Sequence, residues 1–199
     1  MKKQRKKIVT CSFFVCLAVF LFNPAWAITL SLNPSSLSAG ISDLVDIDIV
    51  ISGMGNDDLA AFDFNIAYDN TVLDFDTYVL GNGLGSIENF NADDWSLGDI
   101  GNGIINLSEL SWLWDFSFQS DTFTLATMSF IAGGVGESLL SFSDVILTDG
   151  WGDTLAAGLE QGSINVSDGT SDPVPEPASL FLLGSGLIGL ARFKRKLKK

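Results

Sequence analysis

Residues 44–51 read Leu-Val-Asp-Ile-Asp-Ile-Val-Ile, and residues 60–68 read Ala-Ala-Phe-Asp-Phe-Asn-Ile-Ala-Tyr. In both stretches an apolar side chain occupies every second position, and Asp or Asn stands between them. A period of two places alternate side chains on opposite faces of an extended chain. The two stretches therefore predict β-strands with one buried face and one polar face.

The same signature recurs at short intervals along the chain. A turn at Asp69-Asn70 precedes a strand that begins at Val72, and further strands are predicted near 103–110, 112–118, 122–131, 138–147 and 160–167. Glycine-rich connections separate them at 81–83, 98–103, 133–134 and 150–152. No sustained helical period occurs between the two ends of the sequence. This pattern predicts an all-β antiparallel sandwich or jelly roll.

The N-terminus has the three parts of a secretory signal peptide. Basic residues from Lys2 to Lys7 precede an apolar run from Ile8 to Phe22, and Ala25 and Ala27 form a small-residue cleavage site. The apolar run is shorter than the ~20 residues that span a bilayer. We therefore expect a signal helix within residues 1–27 that is cleaved after Ala27, rather than a retained anchor. Both cysteines of the chain lie in this segment, so the mature protein would have no disulfide or thiolate metal site.

The C-terminus combines a short motif, an apolar run and a basic tail. After a linker at 170–174 come Pro175, Glu176 and Pro177, then an apolar run at 178–191 and a basic tail at 192–199. The tail carries Arg192, Lys194, Arg195, Lys196, Lys198 and Lys199. A basic cluster of this kind stays on the cytoplasmic side of a membrane. The run at 178–191 therefore predicts a short transmembrane helix, with residues 28–177 outside the cytoplasmic membrane.

This tripartite tail resembles the PEP-CTERM sorting signal of bacterial exported proteins. The resemblance covers residues 174–199 and implies processing near Pro175-Glu176-Pro177 by an exosortase-type membrane protease, in bacteria that make exopolysaccharide. It implies a location in the cell envelope or the extracellular matrix, with transient anchoring through the C-terminal helix. A plain C-terminal anchor is the alternative interpretation of the same segment.

All 11 Lys and Arg residues of the chain lie in its two ends, and the chain has no His. All of the 24 Asp and Glu residues except Glu176 lie between residues 28 and 172. A domain with this charge excludes nucleic acid as a partner, because phosphate would be repelled. Side-chain salt bridges are likewise excluded within the domain. Its length of about 145 residues is typical of one domain.

The stretch Ala61-Phe62-Asp63-Phe64-Asn65-Ile66-Ala67-Tyr68-Asp69-Asn70-Thr71-Val72-Leu73-Asp74-Phe75 resembles the central signature of cohesin domains. The segments 125–130, 140–149 and 162–166 are similar to later strands of that family, in the same order. The resemblance implies a cohesin-like jelly roll over residues 28–169, related in fold to carbohydrate-binding modules. It also implies a partner bound through one sheet face. Core packing is the expected role of Phe62, Phe64, Tyr68, Leu73, Met128 and Phe130.

Tryptophans are the candidate residues for stacking on sugar rings. Trp112 and Trp114 lie two positions apart in a segment that is predicted to be a strand, so they would share one face. If that face is buried, both fill the core, which is the outcome we favour; if it is exposed, they form a platform for a glycan. Trp151 is expected in a loop and is a further candidate.

Calcium is the one metal for which the middle of the chain has ligands, because only oxygen donors are present there. The candidate ligands are Asp57 and Asp58 in one loop, and Asp149 and Asp153 in another. The alternative is that these carboxylates are solvated loop residues. No other cofactor is predicted.

The same composition argues against an enzyme. Without His, Cys, Lys or Arg between residues 28 and 172 there is no triad, Schiff base or phosphate clamp. Acid–base chemistry by Glu109 or Asp115 is not forbidden, but no partner for it is evident. The sequence therefore predicts a non-enzymatic surface protein. Its module would bind polysaccharide or matrix components; a cohesin-type protein scaffold and a passive acidic coat protein are the alternatives.

Overall fold

The computed structural model describes residues 28–169, and these residues form thirteen β-strands. The strands are β1 (Ile28–Asn33), β2 (Ser36–Gly40), β3 (Leu44–Ser52), β4 (Ala61–Ala67), β5 (Leu73–Leu80), β6 (Ala92–Asp94), β7 (Gly98–Gly101), β8 (Ile104–Ser111), β9 (Thr122–Ala132), β10 (Gly136–Thr148), β11 (Thr154–Leu155), β12 (Ala157–Leu159) and β13 (Gly162–Ser167). The predicted signal helix and transmembrane helix lie outside the described residues. Within residues 28–169, no helix is long and apolar enough to cross a membrane.

The strands form two sheets. The first has the order β12-β1-β3-β9-β5, and the second has the order β2-β13-β10-β4-β8-β6, with β11 paired to β10 and β7 to β8. Most pairs are antiparallel as expected, but β1 with β12 and β2 with β13 are parallel. The purely antiparallel expectation is therefore wrong at these two edges. There the beginning and the end of the domain run in the same direction, and each contributes one strand to each sheet.

Alternation of side chains accounts for the core. On β3 the side chains of Ile47, Ile49 and Ile51 are buried, and Phe62 and Phe64 face them from β4 of the second sheet. The intervening Asp46 and Asp48 lie on the solvent side, where Ser129 and Thr127 donate hydrogen bonds to them, each at 2.6 Å. The apolar face is therefore buried, while the carboxylates of the polar face accept hydrogen bonds from the neighbouring strand β9. Of the six predicted core residues, five are fully buried and Tyr68 is half-buried against Phe130.

The observed strands confirm most of the predicted ones, with one error and several omissions. Residues 112–118 are not a strand but part of the loop between β8 and β9. The β8 pairing ends where Ser111 N–H donates to Ala60 C=O, and an N–H···O bond from Ser117 to the Asp115 carboxylate then turns the chain. Six strands were not predicted, namely β1, β2, β6, β7, β11 and β12, and β7 lies in a segment that was interpreted as a glycine-rich connection.

The sandwich contains its own complete core. Every buried apolar residue of the described part lies between Ile28 and Val166. The chain divides into two compact units after Asp168, so the thirteen strands all lie in one unit and can be studied without the C-terminal one.

Candidate functional site

A cleft of about 600 Å³ lies at one end of the sandwich, where three connections meet. The loop from β3 to β4 contributes residues 55–58, the loop from β8 to β9 contributes residues 113–117 and Gln119, and the loop after β10 contributes Gly150 and Trp151. The volume lies in the range of small-molecule and oligosaccharide sites. These loops meet because β8, β4 and β10 are neighbours in the second sheet.

Two tryptophan side chains that are almost entirely exposed to solvent line this cleft. The side chain of Trp151 is 90 % exposed, and that of Trp114 is exposed over its whole surface. Trp112 is about half exposed and does not line the cleft. The core role that we favoured for Trp112 and Trp114 is therefore wrong. The loop that replaces the predicted strand removes the common face that both would have shared.

Carboxylates lie beside these rings. Asp57, Asp58 and Asp115 all line the cleft. Gly150 N–H donates to Asp58 Oδ1 at 2.8 Å, which ties two of the three loops together. Hydrogen bonds from the backbone and the hydroxyl of Ser117 lower the pKa of Asp115, so this carboxyl stays ionised.

Long-range hydrogen bonds hold the loops in place without any ligand. The side-chain amide of Gln119 donates to Leu59 C=O at 2.7 Å and to Gly83 C=O at 2.9 Å, and its oxygen accepts from Leu59 N–H. Asp121 accepts from Gly55 N–H at 2.8 Å. A Cβ on Gly150 would lie only 3.0 Å from the ring of Phe116, so the loops pack closely there. The cleft is therefore largely pre-formed, which lowers the entropic cost of binding.

The four candidate calcium ligands are only partly brought together. Asp57 and Asp58 line the cleft, but Asp149 and Asp153 do not. The Asp149 carboxylate instead accepts hydrogen bonds from the N–H groups of Trp151 and Asp153, at 2.9 and 2.8 Å, and so closes its own turn. Among residues 28–169, no group of three or more carboxylates is arranged to hold a metal ion. Calcium binding stays a prediction of the sequence alone.

A second unusual feature is the buried carboxyl of Glu109. On β8 it follows Ile105 and Leu107 on the inward face, and it lies opposite Phe62 of β4. Neither of its oxygens has a hydrogen-bond partner within the described residues. Burial, and then the nearby charge of Asp94, raise the pKa of Glu109 to about 8. The side chain is therefore mainly protonated at neutral pH.

The solvent side of β4, β8 and β10, here called the outer face, carries a polar network. Asn106 donates to Asp63 at 2.9 Å, and Asn65 donates to Asp144 at 2.9 Å. Trp95 is exposed at the margin of this face, in the loop between β6 and β7. The outer face thus offers hydrogen-bonding groups but does not include the cleft.

Comparison with known protein families finds a match at the C-terminus of the chain. Residues 173–196 match the family of the PEP-CTERM protein-sorting motif. The match includes Pro175, Glu176 and Pro177 and most of the basic tail; the predicted cleavage residues Ala25 and Ala27 lie outside both this match and the described residues. No curated protein matches the sequence.

Solved structures of cohesins resemble the sandwich. The sixth cohesin of scaffoldin B from Acetivibrio cellulolyticus, determined in complex with a mutant dockerin, is 16% identical with a TM-score of 0.60, and the match covers 71% of this chain and 99% of that one. A type II cohesin from the cellulosome of the same organism is 23% identical with a TM-score of 0.56, over 70% of this chain and 94% of the other.

A non-cellulosomal cohesin from the archaeon Archaeoglobus fulgidus is 15% identical with a TM-score of 0.55, over 71% and 91% of the two chains. Identities this low establish the fold alone. The chain therefore carries a PEP-CTERM protein-sorting motif at its C-terminus and a cohesin-like β-sandwich over residues 28–169.

Proposed function

We propose that the sandwich is a polysaccharide-binding module of the cell envelope or extracellular matrix, and that the cleft is its binding site. The observation that carries this proposal is the full exposure of Trp114 and Trp151 in one pre-formed cleft. Large aromatic side chains are costly to leave in water, and a flat ring stacks well on the apolar face of a sugar. Carboxylates beside the rings supply acceptors for sugar hydroxyl groups.

The proposed location supports this assignment. A PEP-CTERM motif directs the protein to the cell surface. The resemblance to exosortase-sorted proteins implies a bacterium that makes exopolysaccharide, so a polysaccharide ligand would lie within reach there. We propose the domain limits 1–27, 28–169, 170–174 and 175–199 for signal peptide, module, linker and sorting signal.

Replacement of either cleft tryptophan is expected to weaken retention on polysaccharide. Trp114→Ala and Trp151→Ala should each reduce the affinity of residues 28–169 about 3- to 10-fold, since each stacking contact contributes on the order of 1 kcal/mol. The measurement is affinity electrophoresis in gels that contain defined bacterial exopolysaccharides. Trp95→Ala, at an exposed indole outside the cleft, is the matched control and should bind like the parent.

Equal retention of the parent and both cleft variants, with melting temperatures unchanged, would refute the cleft as the site. Loss of binding in Trp95→Ala alone would instead direct attention to the outer face.

A cohesin-type protein scaffold is the second candidate function. It is favoured by the outer face, where Asp63 and Asn65 accept hydrogen bonds from the buried Asn106 and lie at the surface, with Trp95 at the margin. The related cohesin from Acetivibrio cellulolyticus is seen with a bound dockerin. Retention of a protein partner that depends on Asn65 and Asp63, and not on Trp114, would identify this function.

A further inference from the structure

The charge of the cleft restricts the kind of polysaccharide that it can hold. Three ionisable side chains line it, Asp57, Asp58 and Asp115, and all three are carboxylates. Residues 28–169 contain no Lys, Arg or His, so no protein cation neutralises them. Asp115 in particular has a carboxylate that is held ionised by its hydrogen bonds to Ser117.

An anionic sugar would be repelled from such a site. Two like charges repel weakly in bulk water and more strongly at the lower effective permittivity of a protein surface. Uronic acids, sulfated sugars and phosphorylated sugars would meet this repulsion, while a neutral sugar would gain nothing from it. A sugar that carries an ammonium group would be attracted by the same carboxylates.

The tryptophan rings also favour a sugar that carries a positive charge. The face of an indole attracts a cation through its quadrupole, and Trp is the strongest such partner among the side chains. Trp114 and Trp151 thus provide stacking surfaces for the sugar rings and also tolerate an ammonium group above them. Carboxylates and aromatic faces together make the cleft complementary to rings that are apolar on one side and positively charged at one substituent.

We propose that the cleft selects polysaccharides that carry protonated amino groups, that is, polymers containing free 2-amino sugars, over their N-acetylated and anionic counterparts. This inference rests on the proposed function, because it specifies the ligand class of the same cleft.

The test compares three oligosaccharides of equal length by isothermal titration at 0.15 M salt, at a pH where the amines are protonated. The probes are hexamers of glucosamine, N-acetylglucosamine and galacturonic acid. The glucosamine hexamer is expected to bind at least 10-fold more tightly than the acetylated one, and the galacturonic acid hexamer is expected not to bind.

A pair of double variants separates the cleft from the charge of the whole domain. Asp57→Asn with Asp115→Asn should remove most of the preference for glucosamine, and the asparagine at 115 can still accept the Ser117 hydrogen bond. Asp76→Asn with Glu137→Gln removes the same charge from exposed positions that do not line the cleft, and should retain the preference.

Four results would overturn the inference. One is equal, Trp114-dependent binding of the glucosamine and N-acetylglucosamine hexamers, which would leave the proposed function in place. The second is equal loss of preference in both double variants, and the third is equally tight binding of hexalysine as an added probe, since either would show general attraction of polycations by an acidic protein. The last is binding of neither amino-sugar hexamer; the tryptophan variants on native exopolysaccharide then decide the proposed function separately.

Discussion

The free energy of unfolding of residues 28–169 is expected to fall as the pH rises from about 4.5 to about 8, because of Glu109. The pKa of this buried carboxyl is about 8 in the folded protein, against 4.5 for an ordinary glutamic acid. Between these values the folded state keeps a proton that the unfolded chain has released. Since the folded state binds more protons, stability decreases with pH by up to about 1.4 kcal/mol per pH unit, and the total loss is up to about 5 kcal/mol.

The other groups that have a shifted pKa titrate outside this window. Hydrogen bonds from Thr71 and Ser117 lower the pKa values of Asp69 and Asp115 respectively. The contribution of these two carboxylates to the free energy of unfolding is therefore lost only at acid pH, below the window. Burial raises the pKa of Tyr68 and of Tyr78 above 10, which places both above it. The slope between pH 5 and 8 is therefore expected to report mainly on Glu109.

Urea denaturation at pH 5, 6.5 and 8 measures this slope. Glu109→Gln keeps the size of the side chain and removes its titration, so the stability of this variant should vary much less with pH and should exceed that of the parent at pH 8. Glu88→Gln, at an exposed position, is the control and should follow the parent. A Glu109→Gln variant with the same slope as the parent would show that Glu109 is not buried as described.

Phe130→Ala is expected to destabilise the sandwich by about 3 to 5 kcal/mol. Phe130 is fully buried on β9, an interior strand of the first sheet that pairs with β3 on one side and with β5 on the other. Its ring makes edge contacts with Tyr68 at 5.4 Å and with Phe75 at 5.8 Å between centroids. Removal of the ring leaves a cavity and deletes both aromatic contacts, and the backbone of a central strand has little freedom to fill the space.

Urea denaturation of Phe130→Ala and of Phe118→Ala measures this effect with a matched control. Phe118 is about half exposed in the loop between β8 and β9, so its replacement should change the free energy of unfolding by less than about 1 kcal/mol. Similar losses for both variants would contradict the assignment of β9 to the centre of the core.

Strands with a buried and a polar face could be predicted from the sequence, because alternation is a local signal. The stretch predicted at 44–51 is β3 (Leu44–Ser52), and the stretch at 60–68 contains β4 (Ala61–Ala67). Each places its apolar side chains in the core, as a period of two requires. The short strand β7 (Gly98–Gly101) could not be predicted, because two of its four residues are glycines and it carries no alternation.

The cleft could not be predicted, because it depends on contacts between residues far apart in the chain. Gln119 bonds to Leu59 and to Gly83, and Asp58 bonds to Gly150, and none of these contacts has a signal in local sequence. Spacing alone placed Trp112 and Trp114 on one strand face. The turn at Asp115 and Ser117 interrupts the strand instead and leaves Trp114 exposed.

The burial of Glu109 had a signal in the sequence that was not used. Ile105, Leu107 and Glu109 follow one another at every second position of a predicted strand, so a glutamic acid falls on the core face. Such a residue is either paired or neutral in a folded protein. The absence of basic residues between 28 and 172 already excluded a cationic partner.

The proposed function depends most on the binding of polysaccharide in the cleft. The direct measurement is a ¹H–¹⁵N NMR titration of residues 28–169 with the glucosamine and N-acetylglucosamine hexamers, followed at the indole N–H signals of Trp95, Trp112, Trp114 and Trp151. We expect large shifts of the Trp114 and Trp151 signals and little change for Trp95. Saturable shifts of Trp95 with residues of the outer face, while Trp114 and Trp151 stay unchanged, would contradict it.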